Sequence, residues 1–196
     1  MGSKAALIQP ATLADPSDIA ELQMDAFCDD YFNELFPVKD GLGLKYSTTA
    51  WTNFISASQK ASSGIPPVVY IIRGEDGKLL STALYYIIPP GYAYKDQTSW
   101  RTRWGPPLPG MNEAKLADFF ETMGGQHNNI MADKPHFCYG SALLKHGNKM
   151  ADEQKMACYL DAEADAMKLY ETVGYVHQKE EQISPFSPMM RPATSV

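Results

Sequence analysis

Apolar residues along this chain change their period several times, and each change marks an element. From Ala5 to Thr12 they form a short run interrupted by Pro10, the pattern of a strand at a sheet edge. Asp15-Pro16-Ser17-Asp18 then reads as a helix start. Asp15 can cap, Pro16 has its torsion preset for the first turn, and Asp18 suits the positive helix end. Ile19, Leu22, Phe27, Tyr31, Phe32, Leu35 and Phe36 return at helical spacing, so one helix with a broad core-facing stripe is expected to run up to Pro37. A second helix is expected over residues 44–61, stopping at Ser62-Ser63-Gly64 before Pro66-Pro67.

The period then shortens. Val68 to Ile72 and Leu79 to Ile88 are rich in β-branched and aromatic residues, and Glu75-Asp76-Gly77-Lys78 between them is a turn with glycine where a positive φ is needed, so a hairpin is expected. Pro89-Pro90-Gly91 ends it. No helix or strand period is visible from there to Gly110, a stretch that includes Trp100-Arg101-Thr102-Arg103-Trp104. Asn112 caps a helix carrying Leu116, Phe119, Phe120 and Met123 on one face, expected to close at Gly124-Gly125. Further on, a helix is expected to open directly after Gly140, with Leu143, Leu144 and Met150 on its apolar side. A buried strand over 157–162 follows, then a helix over 164–172 ended by Gly174, then a strand over 175–183.

Composition narrows the setting. A chain of 196 residues with 44% apolar content suits one domain around one core. With 17 basic against 23 acidic residues the net charge is −6, which argues against nucleic acid or an anionic membrane as partner. Three cysteines without paired spacing fit a reducing compartment, no segment reads as a signal peptide or membrane span, and a cytoplasmic protein is expected. His127, His136, His146 and His177 show no metal-ligand spacing with one another or with the cysteines, so they read as solvated or locally bonded and no metal is expected.

The series Tyr139-Gly140-Ser141-Ala142-Leu143-Leu144, then Cys158-Tyr159-Leu160-Asp161-Ala162, then Leu169-Tyr170-Glu171-Thr172-Val173-Gly174-Tyr175 resembles the carboxyl half of the GCN5-related N-acetyltransferase (GNAT) superfamily, in particular its fungal small-molecule branch. Pro10-Ala11-Thr12 to Phe36 and the Val68 to Ile88 hairpin are similar to that family's amino half, so the likeness spans almost the whole chain. What it implies is an α/β (α+β) fold with a mixed, mostly antiparallel sheet flanked by helices, as a single domain over 1–196 in which about 90–126 is an insertion on the acceptor side. It also implies acetyl-CoA as cosubstrate, held between two splayed strands with its pyrophosphate on a helix amino end, and a small-molecule amine as acceptor, the protein being a monomer or homodimer.

The physics of an anion at a helix start agrees, because unpaired amides and the helix dipole both favour negative charge there, and glycine allows close approach. On the resemblance, Tyr139, Gly140, Ser141 and Ala142 occupy that position. Read from spacing alone, the same residues are sooner an ordinary capped helix, with Ser141 satisfying its own backbone. The family's phosphate loop, Gln/Arg-x-x-Gly-x-Gly/Ala, is here reduced to one glycine: its earlier glycine falls on Cys138 and its basic position on Pro135. Residues 133–137 lead into 138–140 with no room for a central strand plus its turn. Two explanations stand open, a splice form lacking a segment near Phe137/Cys138 and a divergence in which Pro135 to Tyr139 forms a very short strand.

Acetyl transfer to an amine needs a base, because an alkylammonium of pKa about 10.4 is no nucleophile, and an acid for a thiolate whose thiol has a pKa of about 8.5. The family's acid is the tyrosine of the Leu-Tyr block, which is Tyr170 here; a phenol of pKa about 10 holds its proton at neutral pH. Without the resemblance, Tyr170 reads as one more half-buried helix aromatic. No residue is assigned as base. The expected activity is therefore acetyl-CoA-dependent N-acetylation of a small amine, with a catalytically silent relative or a truncated form as alternatives.

Overall fold

The computed structural model describes residues 7–59, 65–91, 99–131, 134–140 and 143–194, with 137–140 described by their backbone alone. Contacts gather the chain into two compact units. One takes the amino-terminal part with 66–84 and 99–116; the other takes 85–91 and the residues from 117 onward.

In the first unit strands β1 (Ile8–Pro10), β2 (Val68–Arg73) and β3 (Leu79–Ile88) lie in that order, β1 antiparallel to β2 with Gln9 opposite Ile71. The expected edge strand and hairpin are thus found, and Gly77 takes φ 78° in the turn. Helices α1 (Pro16–Ala26), α2 (Asp30–Leu35), α3 (Leu42–Gln59) and α4 (Trp100–Trp104) belong here. Ile19, Ala20, Ala50, Phe54, Ile55, Val69, Ile71 and Leu79 form the core between α1, α3 and the strands.

The one helix expected up to Pro37 is two. Phe27 leaves helical torsions after α1, and Asp29 starts α2 by accepting the Phe32 N–H at 2.8 Å. The short acidic side chain competes with helix continuation and wins a cap of its own. The stretch without visible period contains α4, opened by Ser99, whose hydroxyl accepts the Arg101 N–H at 3.3 Å. Five residues are too few to display a period. Arg101 lies 4.4 Å over the Trp100 ring, and Trp104 packs among Phe36, Tyr46 and Phe54, at centroid distances of 5.7, 6.2 and 5.5 Å.

Asp15 stands at the first turn of α1 but its side chain does not cap it. It turns back instead: Oδ2 accepts from the Thr12 N–H at 2.6 Å and the Thr12 hydroxyl at 2.7 Å, while Oδ1 takes Arg73 Nη2 at 2.5 Å. Arg73 also reaches Asp18 at 2.8 Å. Burial pushes the Asp15 carboxyl up, but the Arg73 and Thr12 hydrogen bonds outweigh it and hold the group below the usual carboxylate range.

In the second unit the strand order is β3, β4 (His136–Gly140), β5 (Ala157–Ala162), β7 (Ser187–Arg191), β6 (Val176–His177). β4 and β5 are parallel; β7 is antiparallel to both β5 and β6. Helices α5 (Glu113–Met131, entering from the first unit), α6 (Leu144–Glu153) and α7 (Met167–Glu171) accompany them. The mixed, mostly antiparallel sheet with flanking helices is the expected fold class. α5 begins as expected, with Asn112 Oδ1 accepting the Lys115 N–H at 3.1 Å, but it runs straight through Gly124-Gly125. A mid-helix glycine costs about 1 kcal/mol. Ile183 Cδ1 lies 3.6 Å from the place a Cβ on Gly125 would take, an ordinary contact distance, and the continued helix carries Gln126, His127, Ile130 and Met131 into the interior. The strand expected over 175–183 shrinks to Val176–His177 before a 3-10 turn at Lys179–Glu181, and β7 lies past the last element expected. Pro188 is tolerated because it lies beyond Met189 and Met190, the residues that β6 pairs with.

His127 and His136, expected to be solvated or locally bonded, are 3% and 0% exposed and meet through their Nε2 atoms at 2.6 Å. His136 Nδ1 lies 2.6 Å from the Lys134 carbonyl, which can only accept, so Nδ1 carries the proton, Nε2 of His136 accepts, and His127 donates. The first residue of β4 is thereby tied to α5. Burial lowers the His136 pKa, a shift that its bond to Lys134 O opposes and the Lys134 charge reinforces.

Two outcomes follow from these clusters. Asp15→Asn should destabilise the chain by about 1–3 kcal/mol in urea unfolding, whereas Asp18→Asn, whose side chain is 46% exposed, should cost less than about 1 kcal/mol. For His136, the unfolded chain takes up a proton near 6.5 while the folded state resists it, so its contribution is complete above about 6.5 and is lost as pH falls toward the lower folded value. Asp161, raised from 3.8 to about 6, has the opposite sign, its stabilisation being present at low pH and lost as pH rises through about 6. Lowering the pH from about 7.5 to 5 should therefore cost the parent more unfolding free energy than it costs His136→Asn, which lacks the His136 contribution.

Candidate active site

The site expected from sequence lies entirely in the second unit, around the parallel pair β4 and β5. Their register sets His136 opposite Ala157, Phe137 opposite Cys158 and Cys138 opposite Tyr159. The short strand envisaged over Pro135 to Tyr139 exists, displaced by one residue to His136–Gly140, and no separate central strand is needed between β3 and β5. Tyr139 and Gly140 consequently finish a strand rather than open a helix. Ser141 and Ala142 lie outside the described residues. α6 begins only at Leu144, so the helix start sits three residues later than expected, because the chain spends residues 136–140 on strand β4.

α6 has no side-chain cap: Leu143 holds the capping position, and its carbonyl accepts the His146 and Gly147 N–H groups and the Tyr85 hydroxyl at 2.9 Å. The first amides of this ten-residue helix are therefore not consumed by a capping side chain. The far end is fixed by Arg191 of β7, which forms two hydrogen bonds to the Asp152 carboxylate at 2.8 and 2.9 Å.

Tyr170 stands on α7, half-buried. Its ring meets Tyr175 edge-on at 5.9 Å, and the Tyr175 hydroxyl donates to Asn148 Oδ1 on α6 at 2.9 Å. Tyr175 is 2% exposed and follows Gly174, whose φ of 93° lets the chain leave α7 and turn into β6. Two contacts thus carry Tyr170 from α7 to the helix that follows β4. Burial first, and the nearby Glu163 charge second, push the Tyr170 phenol up, so it holds its proton at neutral pH.

A second constellation was not foreseen. Tyr159 and Asp161 alternate onto one face of β5, and the Tyr159 hydroxyl donates to Asp161 Oδ1 at 2.7 Å. Gln126, fully buried on α5, donates its amide to the same oxygen at 2.5 Å and to the Phe186 carbonyl at 3.2 Å, while its own carbonyl accepts the Ile183 and Ser184 N–H groups at 2.8 and 3.2 Å. Tyr159 also stacks on His127 with centroids 4.4 Å apart. Burial raises the Asp161 carboxyl to about 6, against the lowering effect of both hydrogen bonds. One sequence signal pointed here: an acidic residue inside an otherwise apolar strand run. Gln126 left no such trace, because α5 was expected to have ended before it.

Among solved structures the chain is similar to a histone acetyltransferase HPA2 and related acetyltransferase from Corynebacterium glutamicum, with a TM-score of 0.55 and 19% identity over 98% of this chain and 99% of that one. It is also similar to an N-acetyltransferase from Staphylococcus aureus, with a TM-score of 0.50 and 11% identity over 94% and 98%. No protein-family model and no curated protein matches the chain. At these identities the likeness is one of architecture, carried over nearly the full length of both partners: the chain has the fold of these acetyltransferases.

Proposed function

We propose that the chain, acting as a single GNAT-like domain, transfers an acetyl group from acetyl-CoA to the amine of a small molecule. The observation that carries this reading is the full-length likeness of fold to two acetyltransferases, with the parallel β4 and β5 pair leading into an uncapped α6. The thioester supplies an activated acyl carbonyl. The residues present suit such a substrate in two respects: the Leu144 and Lys145 amides that open α6, which no capping side chain takes, preceded by Tyr139, Gly140, Ser141 and Ala142, favour a pyrophosphate, and Tyr170 offers a protonated phenol linked by Tyr175 and Asn148 to the same helix. Tyr170 would hand its proton to the departing thiolate. Holding amine and thioester together supplies the larger part of the acceleration.

A second reading, a scaffold that has lost turnover, is favoured by the 141–143 connection, which leaves three residues between β4 and α6 and retains one glycine of the family's phosphate loop.

Thermal unfolding with acetyl-CoA at about a hundredfold over its Kd should show roughly 2.7 kcal/mol of added stability. Thiol release with a panel of small amines then reports turnover, and Tyr170→Phe should lower kcat about a hundredfold or more while leaving the stabilisation intact. A cooperative melt that acetyl-CoA does not shift would favour the silent scaffold.

A further inference from the structure

One segment of the first unit has no part in acetyl transfer and is built for something else. Between α4 and α5 the chain reads Gly105-Pro106-Pro107-Leu108-Pro109-Gly110. Each proline holds φ near about −65°, and Pro106 and Leu108, each followed by a proline, are also kept out of the helical region, so sterics favour polyproline II. The only N–H over 106–109 is that of Leu108, and the segment cannot pair as a strand. Residues 107 and 108 accordingly belong to no helix or strand. α3 shows how far the segment is stretched. A Cβ on Gly105 would lie 3.9 Å from Asn53 Nδ2, and one on Gly110 would lie 3.2 Å from Leu42 Cδ1. Those two positions are about 16 Å apart along the helix at about 1.5 Å per residue. The steps from Gly105 to Gly110 cover about 15 Å as polyproline II, at about 3.1 Å each, and only about 8 Å as helix.

Both ends of the stretched segment are pinned. The Tyr46 hydroxyl donates to the Gly105 carbonyl at 3.0 Å, and the Met111 N–H donates to the Leu108 carbonyl at 3.0 Å. Residues three apart in polyproline II share an edge, which puts Pro106 and Pro109 together. Both are exposed, whereas Pro107 and Leu108 are half-buried. The loop therefore turns one row of proline rings outward, already extended, so a partner that reads this conformation loses little ordering entropy. Just upstream, α4 keeps the Arg101 side chain 45% exposed over the Trp100 ring. Its pairing with exposed Glu113 at 3.3 Å is of the weak, solvent-screened kind that a partner's carboxylate can replace. We propose that Pro106-Pro107-Leu108-Pro109 is a docking ligand for an SH3-type domain. The aromatic-lined groove of such a domain takes two prolines three residues apart, and acidic residues at the end of the groove meet Arg101. This surface is independent of the acetyltransferase reading and stands or falls apart from it.

The test is binding of the full chain to a panel of purified SH3 domains, with a panel of WW domains beside it. At least one SH3 domain should bind saturably. Pro106→Ala combined with Pro109→Ala should weaken that binding about tenfold or more, and should melt within a few degrees of the parent because both rings are exposed. Arg101→Glu should weaken it about threefold or more, with a loss that shrinks as salt is raised. Should the double variant melt well below the parent, competition on the unaltered chain decides: a synthetic PxxP peptide that occupies the same SH3 groove should displace it. The proposal is overturned if no SH3 domain binds, if binding survives the double substitution in a folded variant or survives the competing peptide, or if only WW domains bind. Turnover of acetyl-CoA has no bearing on any of these outcomes.

Discussion

The carboxyl-terminal unit depends on a very short stretch of parallel pairing, His136, Phe137 and Cys138 against Ala157, Cys158 and Tyr159. Parallel strands cannot be joined by a tight turn, and their hydrogen bonds form only if something else brings the strands together. Here the connection is α6, clamped at its far end by Arg191 on Asp152 and at its middle by Asn148 under Tyr175. The strand start is held by the His127 and His136 pair, which ties β4 to α5. A five-residue strand can serve as the sheet's middle because both of its flanks are secured by side chains rather than by its own length.

Gln126 is the second joint of this unit. With one buried amide it satisfies the carboxylate of Asp161, the Phe186 carbonyl and two backbone N–H groups at 183 and 184, so α5, β5 and the segment leading into β7 share a single polar centre. Such a centre is costly if half made and specific when complete. It is complete for Gln126. It is not complete for Asp161, whose carboxyl has hydrogen bonds but no counter-ion among the described residues.

Tyr170 and Asp161 are carried by different supports. Tyr170 is presented by a five-residue helix whose position is set by the Gly174 turn and by Tyr175, and Asp161 by a strand buried on both faces. Burial acts on both in the same sense, raising each pKa, but with opposite consequences: the phenol is kept as a proton donor, while the carboxyl is moved toward neutrality, where it can exchange a proton.

Periodicity alone located α3, the hairpin of β2 and β3, the start of α5 and the whole of β5, because each is long or strongly apolar enough for its own residues to choose the element. The likeness of three carboxyl-terminal motifs to a family supplied the fold class and singled out Tyr170. What sequence could not decide were matters settled by contacts between distant residues. α5 passes its glycine pair because Gln126 and His127 find partners beyond it. β7 forms despite Pro188 because β5 pairs along its whole length and β6 along Met189 and Met190. Asp15 leaves its helix cap for Arg73, which is 58 residues away along the chain. Residues 136–140 become strand, not loop, because Ala157, Cys158 and Tyr159 present an open parallel edge, and local propensity at His136-Phe137-Cys138 carries no information about that edge.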